Sequence, residues 1–150
     1  MNTDIADALK RRVAMYYRRK KRVSFFELGL QRNGKLRADV FVLAMTGHTV
    51  VVECKSSVAD FKSFPDKAAA YAEHCNQLYL AVYKPLYEKI KDRIPKGVGC
   101  FIFDPDDARR KPTVKKAFNK ELSDDVQRNL FIRAAFRNSD TTNRKHKGHH

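Results

Sequence analysis

The chain has 150 residues, of which 43% are hydrophobic and 32% are charged, and its formal net charge is +14 at pH 7. This balance predicts one soluble globular domain and excludes an intrinsically disordered chain. No segment reaches the roughly 20 apolar residues that a membrane span needs, and the N-terminus lacks the apolar core of a signal peptide. A chain this basic is expected to bind a polyanion such as nucleic acid, although high charge also serves solubility.

The spacing of the cysteines indicates the redox state of the compartment in which the protein works. Cys54, Cys75 and Cys100 are widely separated and form no CxxC pair. This spacing predicts free, buried thiols in a reducing cytoplasm rather than disulfides or a zinc site.

The first predicted element is an amphipathic helix. Thr3 is a suitable cap, and apolar residues recur at helical spacing until about Arg18. A basic run over residues 18–22 follows, and it includes Arg18, Arg19 and Lys20. Two interpretations of this run remain open, because cations there either complement the helix dipole or contact phosphates.

A three-stranded meander is predicted next, over residues 23–30, 38–44 and 48–54. Asn33 and Gly34 suit the first turn, and Gly47 suits the third place of a three-residue hairpin loop, where the left-handed conformation favours glycine.

The position of Gly47 fixes the register of the second hairpin. Asp39 then faces Glu53, and both lie on the same sheet face as Lys55. The opposite face is apolar and is predicted to be core; it carries Val40, Val42, Val50, Val52 and Cys54. A two-residue turn would move Asp39 to the other face, so the chemistry depends on this register.

The facing carboxylates of Asp39 and Glu53 indicate a metal site. Like charges that face each other across strands destabilise a sheet, and a divalent cation removes that cost. Two carboxylates and water form an oxygen ligand set that suits Mg²⁺ or Mn²⁺. The ammonium of Lys55 is predicted to hold a phosphate, orient a water molecule or stabilise developing charge. The alternative is a partly solvated ion-pair network without catalytic function.

This pattern resembles the signature of the PD-(D/E)xK nuclease superfamily, with Asp39 on one strand and Glu53-Cys54-Lys55 on the next. Ala38 replaces the leading proline of the signature. The wider sequence, including VVECKSSVADF over residues 51–61, resembles the MmcB-type bacterial DNA repair family within that superfamily. The resemblance extends from the first helix to Arg137.

The resemblance implies further site residues. It places an acidic residue at Glu27, which is a weaker candidate for an additional metal ligand; an exposed edge-strand glutamate is the alternative. It also implies that Lys67 and Tyr71, which share one helix face, line a DNA channel. Both residues also suit structural roles, Tyr71 at the edge of the core and Lys67 as a solvated charge.

The rest of the chain predicts alternating helices and strands. We expect helices over residues 66–74, 86–93 and 124–137, strands over 77–83 and 98–103, and a loop or short irregular strand over 109–120. The fold class is therefore α/β, with a mixed sheet flanked by helices. The resemblance implies a restriction-endonuclease-like core. Residues 1–137 are expected to form a single domain, followed by a basic, disordered tail over residues 138–150.

These observations predict a Mg²⁺- or Mn²⁺-dependent DNA endonuclease that acts in repair. Asp39, Glu53 and Lys55 are the expected catalytic residues, and Asp39 and Glu53 the expected metal ligands. DNA contacts are expected from Arg37 and from the basic segments over residues 18–22 and 109–116. The alternatives are a non-catalytic DNA-binding or interaction module with the same fold, and a nuclease for RNA or branched DNA.

Overall fold

A computed structural model describes residues 3–147, with side chains described for residues 4–140. The elements in chain order are α1 (Thr3–Arg18), β1 (Val23–Gly29), β2 (Arg37–Leu43), β3 (Thr49–Cys54), α2 (Val58–Phe61), α3 (Phe64–Ala72), β4 (Gln77–Tyr83), α4 (Lys84–Ile90), a 3-10 turn (Lys91–Arg93), β5 (Gly99–Phe103), β6 (Thr113–Lys115) and α5 (Asp124–Lys147).

The strands form one six-stranded mixed sheet in the order β1-β2-β3-β4-β5-β6. Strands β1 to β3 are an antiparallel meander, β3 to β5 are parallel, and β6 returns antiparallel to β5. This arrangement confirms the predicted α/β class with a mixed sheet, and it is consistent with a restriction-endonuclease-like core. The parallel strands end together, so Cys54 of β3 and Tyr83 of β4 lie at the same edge of the sheet.

Both faces of the sheet are covered, which explains why β3 and β4 are apolar along almost their whole length. Helix α1 buries Leu9, Val13 and Tyr17 against the face that carries the alternate valines of the hairpin. The helices α2 to α5 bury apolar residues against the other face, which carries Phe41 and Val51. The two cores lie on opposite sides of one hairpin because its side chains alternate.

The predicted hairpin register is confirmed. Val40 pairs with Val52 and Val42 pairs with Val50. The turn is closed by a hydrogen bond from the Gly47 N–H to the Ala44 carbonyl, and Gly47 adopts φ +90° as the sequence predicted.

Helix α5 differs most from expectation. It continues from Asp124 through Arg137 to Lys147, across most of the segment for which we predicted a disordered tail. No proline or glycine occurs between Asp124 and Lys147, so no residue in this stretch breaks the helix. Residues 148–150 lie outside the described residues.

Other expectations are close to the structure. The basic stretch after residue 109 contains the short strand β6, which was one of its two predicted conformations. Cys54, Cys75 and Cys100 are free and buried, as predicted. Within residues 3–147, no helix combines the length and apolar character that crossing a bilayer requires.

The turn glycine gives a test of the register. A Cβ on Gly47 would lie 3.1 Å from Gln127 Nε2 and 3.2 Å from the Phe131 ring, at a φ that is strained for other residues. We expect Gly47→Ala to lower the free energy of unfolding by about 1–3 kcal/mol in urea titrations. Gly29→Ala is the control, since a Cβ there meets nothing within 4 Å, and it should change stability by less than about 0.5 kcal/mol. Equal effects of the two substitutions would contradict this account of the turn.

Candidate active site

Two carboxylates lie at the end of the β2–β3 ladder, directly beyond the Val40–Val52 pair. The Asp39 N–H donates to Glu53 Oε2 at 2.8 Å, and the Cys54 N–H donates to Asp39 Oδ2 at 2.8 Å. Each strand therefore uses a carboxylate of the other strand as the acceptor for its backbone N–H. This reciprocal pair of hydrogen bonds keeps the two side chains together on one sheet face, as the register predicted.

Burial makes two negative charges costly at this place. Glu53 is only 3% exposed, and burial, reinforced by the nearby Asp39 carboxylate, raises the pKa of Glu53 to about 8. Burial also raises the pKa of Asp39, against the opposing effect of the hydrogen bond from the Cys54 N–H. A cation bound between the carboxylates would lower both pKa values and favour the ionised carboxylates.

Lys55 supplies one positive charge beside the pair, and it lowers the pKa of both carboxyl groups. Its side chain is 16% exposed, and Nζ lies 3.9 Å from Asp60 Oδ1. Asp60 is itself held by the Ser56 N–H and by a hydrogen bond from its own N–H to Ser57 Oγ. The ammonium is thus oriented by a fixed carboxylate at the start of α2.

A second ammonium approaches from α1. Lys10 Nζ donates a hydrogen bond to Glu27 Oε1, and its side chain is 15% exposed. Burial lowers the pKa of Lys10, but the hydrogen bond and charge of Glu27 outweigh burial, so the net pKa is raised. The field of Asp39 acts in the same direction. Lys10 therefore remains charged near the carboxylate pair.

The backbone at Glu27 is strained. Glu27 falls opposite Asp39 in the register, between the pairs Phe26–Val40 and Leu28–Ala38, but it adopts φ +54° and leaves the ladder. The Arg137 guanidinium donates to the carbonyl oxygens of both Phe26 and Glu27. Strain of this kind persists where the surroundings hold it, and it is concentrated at functional sites.

Tyr71 of α3 closes the site from the helical side. Its hydroxyl donates to the Arg37 carbonyl oxygen at 3.3 Å. Burial, together with the neighbouring Glu53 carboxylate, raises the pKa of Tyr71, so the hydroxyl stays protonated. Arg37 at the start of β2 and Lys67, one helical turn before Tyr71, are both exposed.

The carboxylate pair fits a hard divalent cation. Asp39 Oδ1 and Glu53 Oε1 accept no backbone N–H within the described chain, so the backbone leaves one oxygen on each side for a ligand. The Glu53 carboxylate also interacts with the Tyr71 hydroxyl through a side-chain hydrogen bond. Among the described residues, no group of three or more His, Cys, Asp or Glu side chains is arranged to hold a metal. Two carboxylates suffice for Mg²⁺, which usually keeps several waters and also takes substrate phosphate oxygens.

Comparison with known proteins shows the family of the chain. A family model described as DNA repair protein MmcB-like matches residues 2–145, which is almost the whole chain. The chain belongs to the MmcB-like family. This match confirms the resemblance to the MmcB-type family, and the family's description indicates a role in DNA repair.

A solved structure has the same fold. It is a protein of unknown function from Silicibacter pomeroyi, which is 27% identical and has a TM-score of 0.78. The match covers 92% of this chain and 88% of that one. No curated protein matches the chain.

The fold does not bring all the predicted DNA-binding residues to the carboxylates. Arg18, Arg19 and Lys20 lie at the other end of the sheet, because β1 starts there with Val23 paired to Leu43. Lys20 lines a recess together with Thr46 of the hairpin turn. These three cations are exposed and therefore accessible to phosphates, but not at the carboxylate pair.

Two residues of the site, Asp60 and Lys10, were not predicted from the sequence. Asp60 had a local signal, since Ser57-Val58-Ala59-Asp60 has the spacing of a capping box. Lys10 had no signal in the sequence, because its partner Glu27 is 17 residues away and the contact depends on the tertiary packing of α1.

The raised pKa of Glu53 predicts a pH-dependent stability. Because the folded-state pKa is about 8 and the usual value is 4.5, the folded chain binds more protons than the unfolded chain between these values. Without divalent cations, the free energy of unfolding should therefore fall as pH rises across this window. The fall should be on the order of a few kcal/mol, since one pKa unit corresponds to about 1.4 kcal/mol.

Glu53→Gln is the matched variant, because it keeps an acceptor for the Asp39 N–H but does not ionise. Urea unfolding in EDTA at about pH 5 and about pH 8 should show a smaller decline for the variant than for the wild type. The same decline in both proteins would show that Glu53 does not carry the proton.

Proposed function

We propose that the chain is a divalent-metal-dependent DNA endonuclease of the PD-(D/E)xK type that acts in repair. The observation that supports the proposal is the pair of the half-buried Asp39 and the buried Glu53, held by reciprocal backbone hydrogen bonds, with Lys55 beside it. Membership of the MmcB-like DNA repair family supports DNA as the substrate.

Asp39 and Glu53 would hold Mg²⁺ or Mn²⁺ through the oxygens that the backbone does not use. When bound, such an ion polarises a phosphodiester and makes a coordinated water more acidic. The chain contributes the fixed spacing of the carboxylates, because the hydrogen bonds from Asp39 and Cys54 prevent either side chain from turning away. Pre-organisation of this kind lowers the cost of binding the ion.

Lys55 would act on the substrate. Hydrolysis of a phosphodiester adds water across a P–O bond and gives a phosphate monoester and a hydroxyl group, and negative charge grows on the phosphoryl oxygens before the bond breaks. An ammonium held by Asp60 at the edge of a buried site can stabilise that charge or orient the water without reorganising first. The same ion pair with Asp60 also favours one rival, a non-catalytic DNA-binding module in which Lys55 is structural.

Lys10 and Glu27 form an ion pair near the proposed metal site. Glu27 is a weaker candidate as a metal ligand, and its carboxylate is already paired with the Lys10 ammonium. Both charges of this pair act on Asp39, because the Glu27 carboxylate raises the pKa of Asp39 and the Lys10 ammonium lowers it. Arg37 is exposed two residues before Asp39 and is suited to contact the DNA backbone.

Metal binding should depend on Asp39 and not on Glu27. We expect Mn²⁺ to broaden the amide NMR signals around Asp39, Glu53 and Lys55, and we expect Asp39→Asn to abolish this broadening while the fold is kept. Glu27→Gln is the control, since its side chain is paired with Lys10, and it should retain the effect. Broadening that persists in Asp39→Asn would contradict the assignment of the metal site.

Catalysis should separate from DNA binding at Lys55. Lys55→Ala leaves the buried face of β3 unchanged, so folding and DNA affinity should change little, whereas the single-turnover cleavage rate should fall by on the order of 10²-fold or more. Lys62→Ala removes an exposed lysine nearby and should cleave at the wild-type rate.

The outcomes of this comparison are distinct. Cleavage by Lys55→Ala at the wild-type rate would make Lys55 a structural charge. Absence of cleavage by the wild type with either metal, on single-stranded, duplex and branched DNA, would favour the non-catalytic module.

A further inference from the structure

A basic groove lies away from the carboxylate pair, between α1 and the segment that follows β5. Its volume is about 760 Å³. Seven arginine and lysine residues line it, and no aspartate or glutamate does so among the described residues. Four of these cations come from residues 11–20 and three from residues 109–111. A concave surface with charge of one sign concentrates ligands of the opposite sign.

The walls of the groove are fixed by Arg12. Its guanidinium donates to the carbonyl oxygens of Asp104 at 2.6 Å, Asp107 at 2.8 Å and Arg110 at 3.3 Å. It also lies 4.7 Å from the centre of the Phe103 ring. One side chain of α1 thus holds the opposite wall in place. Because these contacts lie within the chain itself, ordering the groove on binding costs little.

Three other cations of the groove take no part in ion pairs within the described chain. Arg11, Arg19 and Lys111 are exposed, and none of them forms an ion pair within the described chain. Arg110 is different, because it lies 3.7 Å from Asp104. The unpaired cations repel one another, and a bound polyanion would neutralise this repulsion.

The size and the aromatic lining of the groove indicate which class of polyanion it can bind. A volume of this order is typical of pockets for drug-sized ligands, so it suits a few nucleotides of one strand rather than a duplex. The half-buried rings of Tyr16 and Tyr83 line the same space. Bases stack on such rings only when they are unpaired, and each stacked base contributes about 1–3 kcal/mol.

We propose that this groove binds a single-stranded segment of nucleic acid, with phosphates on Arg11, Arg19 and Lys111 and unpaired bases against Tyr16 and Tyr83. Residue Lys10 of α1 reaches the carboxylate side, and the next residue, Arg11, lines the groove. Resting on the proposed nuclease function, this makes the substrate a DNA with a single-stranded arm that leads to the cleaved bond.

The test uses fluorescence anisotropy in EDTA, so that binding is measured without cleavage. The probes are a labelled single strand of about 20 nucleotides, longer than most single-strand sites, and the duplex of the same sequence. The groove variant is Arg11→Ala/Lys111→Ala. The control variant is Lys96→Ala/Arg128→Ala, which removes the same charge from exposed positions outside the groove.

We expect the wild type to bind the single strand more tightly than the duplex. The groove variant should lose this preference, and its slope of log affinity against log salt should be smaller by about 1.4, because each lost phosphate contact contributes about 0.7 on single strands. The control variant should keep both the preference and the slope. An unchanged slope in the groove variant, an equal loss in the control, or equal wild-type binding of the two probes would overturn the proposal.

Failure of this proposal is distinguishable from failure of the nuclease proposal. Selective single-strand binding that depends on the groove, in a protein that cleaves nothing with Mg²⁺ or Mn²⁺, supports the groove and rejects the nuclease. Metal-dependent cleavage together with wild-type single-strand binding by the groove variant supports the nuclease and rejects the groove.

Discussion

The reciprocal hydrogen bonds between the ends of β2 and β3 determine the character of the site. At this point the backbone ladder stops, and the carboxylates of Asp39 and Glu53 take the place of carbonyl acceptors for the Asp39 and Cys54 N–H groups. Two acidic groups are thereby held together, Glu53 buried and Asp39 half-buried, and this burial raises the pKa of both. This electrostatic cost arises next to Lys55, whereas the neighbouring pairs Val40–Val52 and Phe41–Val51 are apolar.

The remaining elements can be understood as support for that pair. Burial of both sheet faces removes water from the carboxylates, with α1 on one side and the helices α2 to α5 on the other. The same helices also position charged groups around the pair. Helix α1 contributes Lys10, and helix α5 contributes Arg137, whose guanidinium binds the carbonyl oxygens of the strained Phe26–Glu27 backbone. The family to which the chain belongs is described as a DNA repair family.

The hairpin and its register were predictable because they depend on local signals. Gly47 fixes the turn, and alternation of side chains then determines which residues face Asp39. Contacts distant in sequence were not predictable in this way. Arg12 holds a segment 92 residues away, and Arg137 holds the backbone of Glu27 110 residues away, through interactions that leave no periodicity. The extent of α5 was underestimated because its polar composition after residue 137 indicates solvent exposure but not helix termination.

The central claim is that the Asp39–Glu53 pair holds a metal ion against a DNA phosphate. Anomalous scattering from a crystal grown with Mn²⁺ and a non-cleavable phosphorothioate DNA tests it most directly. The account predicts an anomalous peak within about 2.2 Å of one oxygen of each carboxylate, with a phosphate oxygen in the same coordination shell. Bound DNA with no peak between the two carboxylates, or with Lys55 turned away from the phosphate, would contradict it.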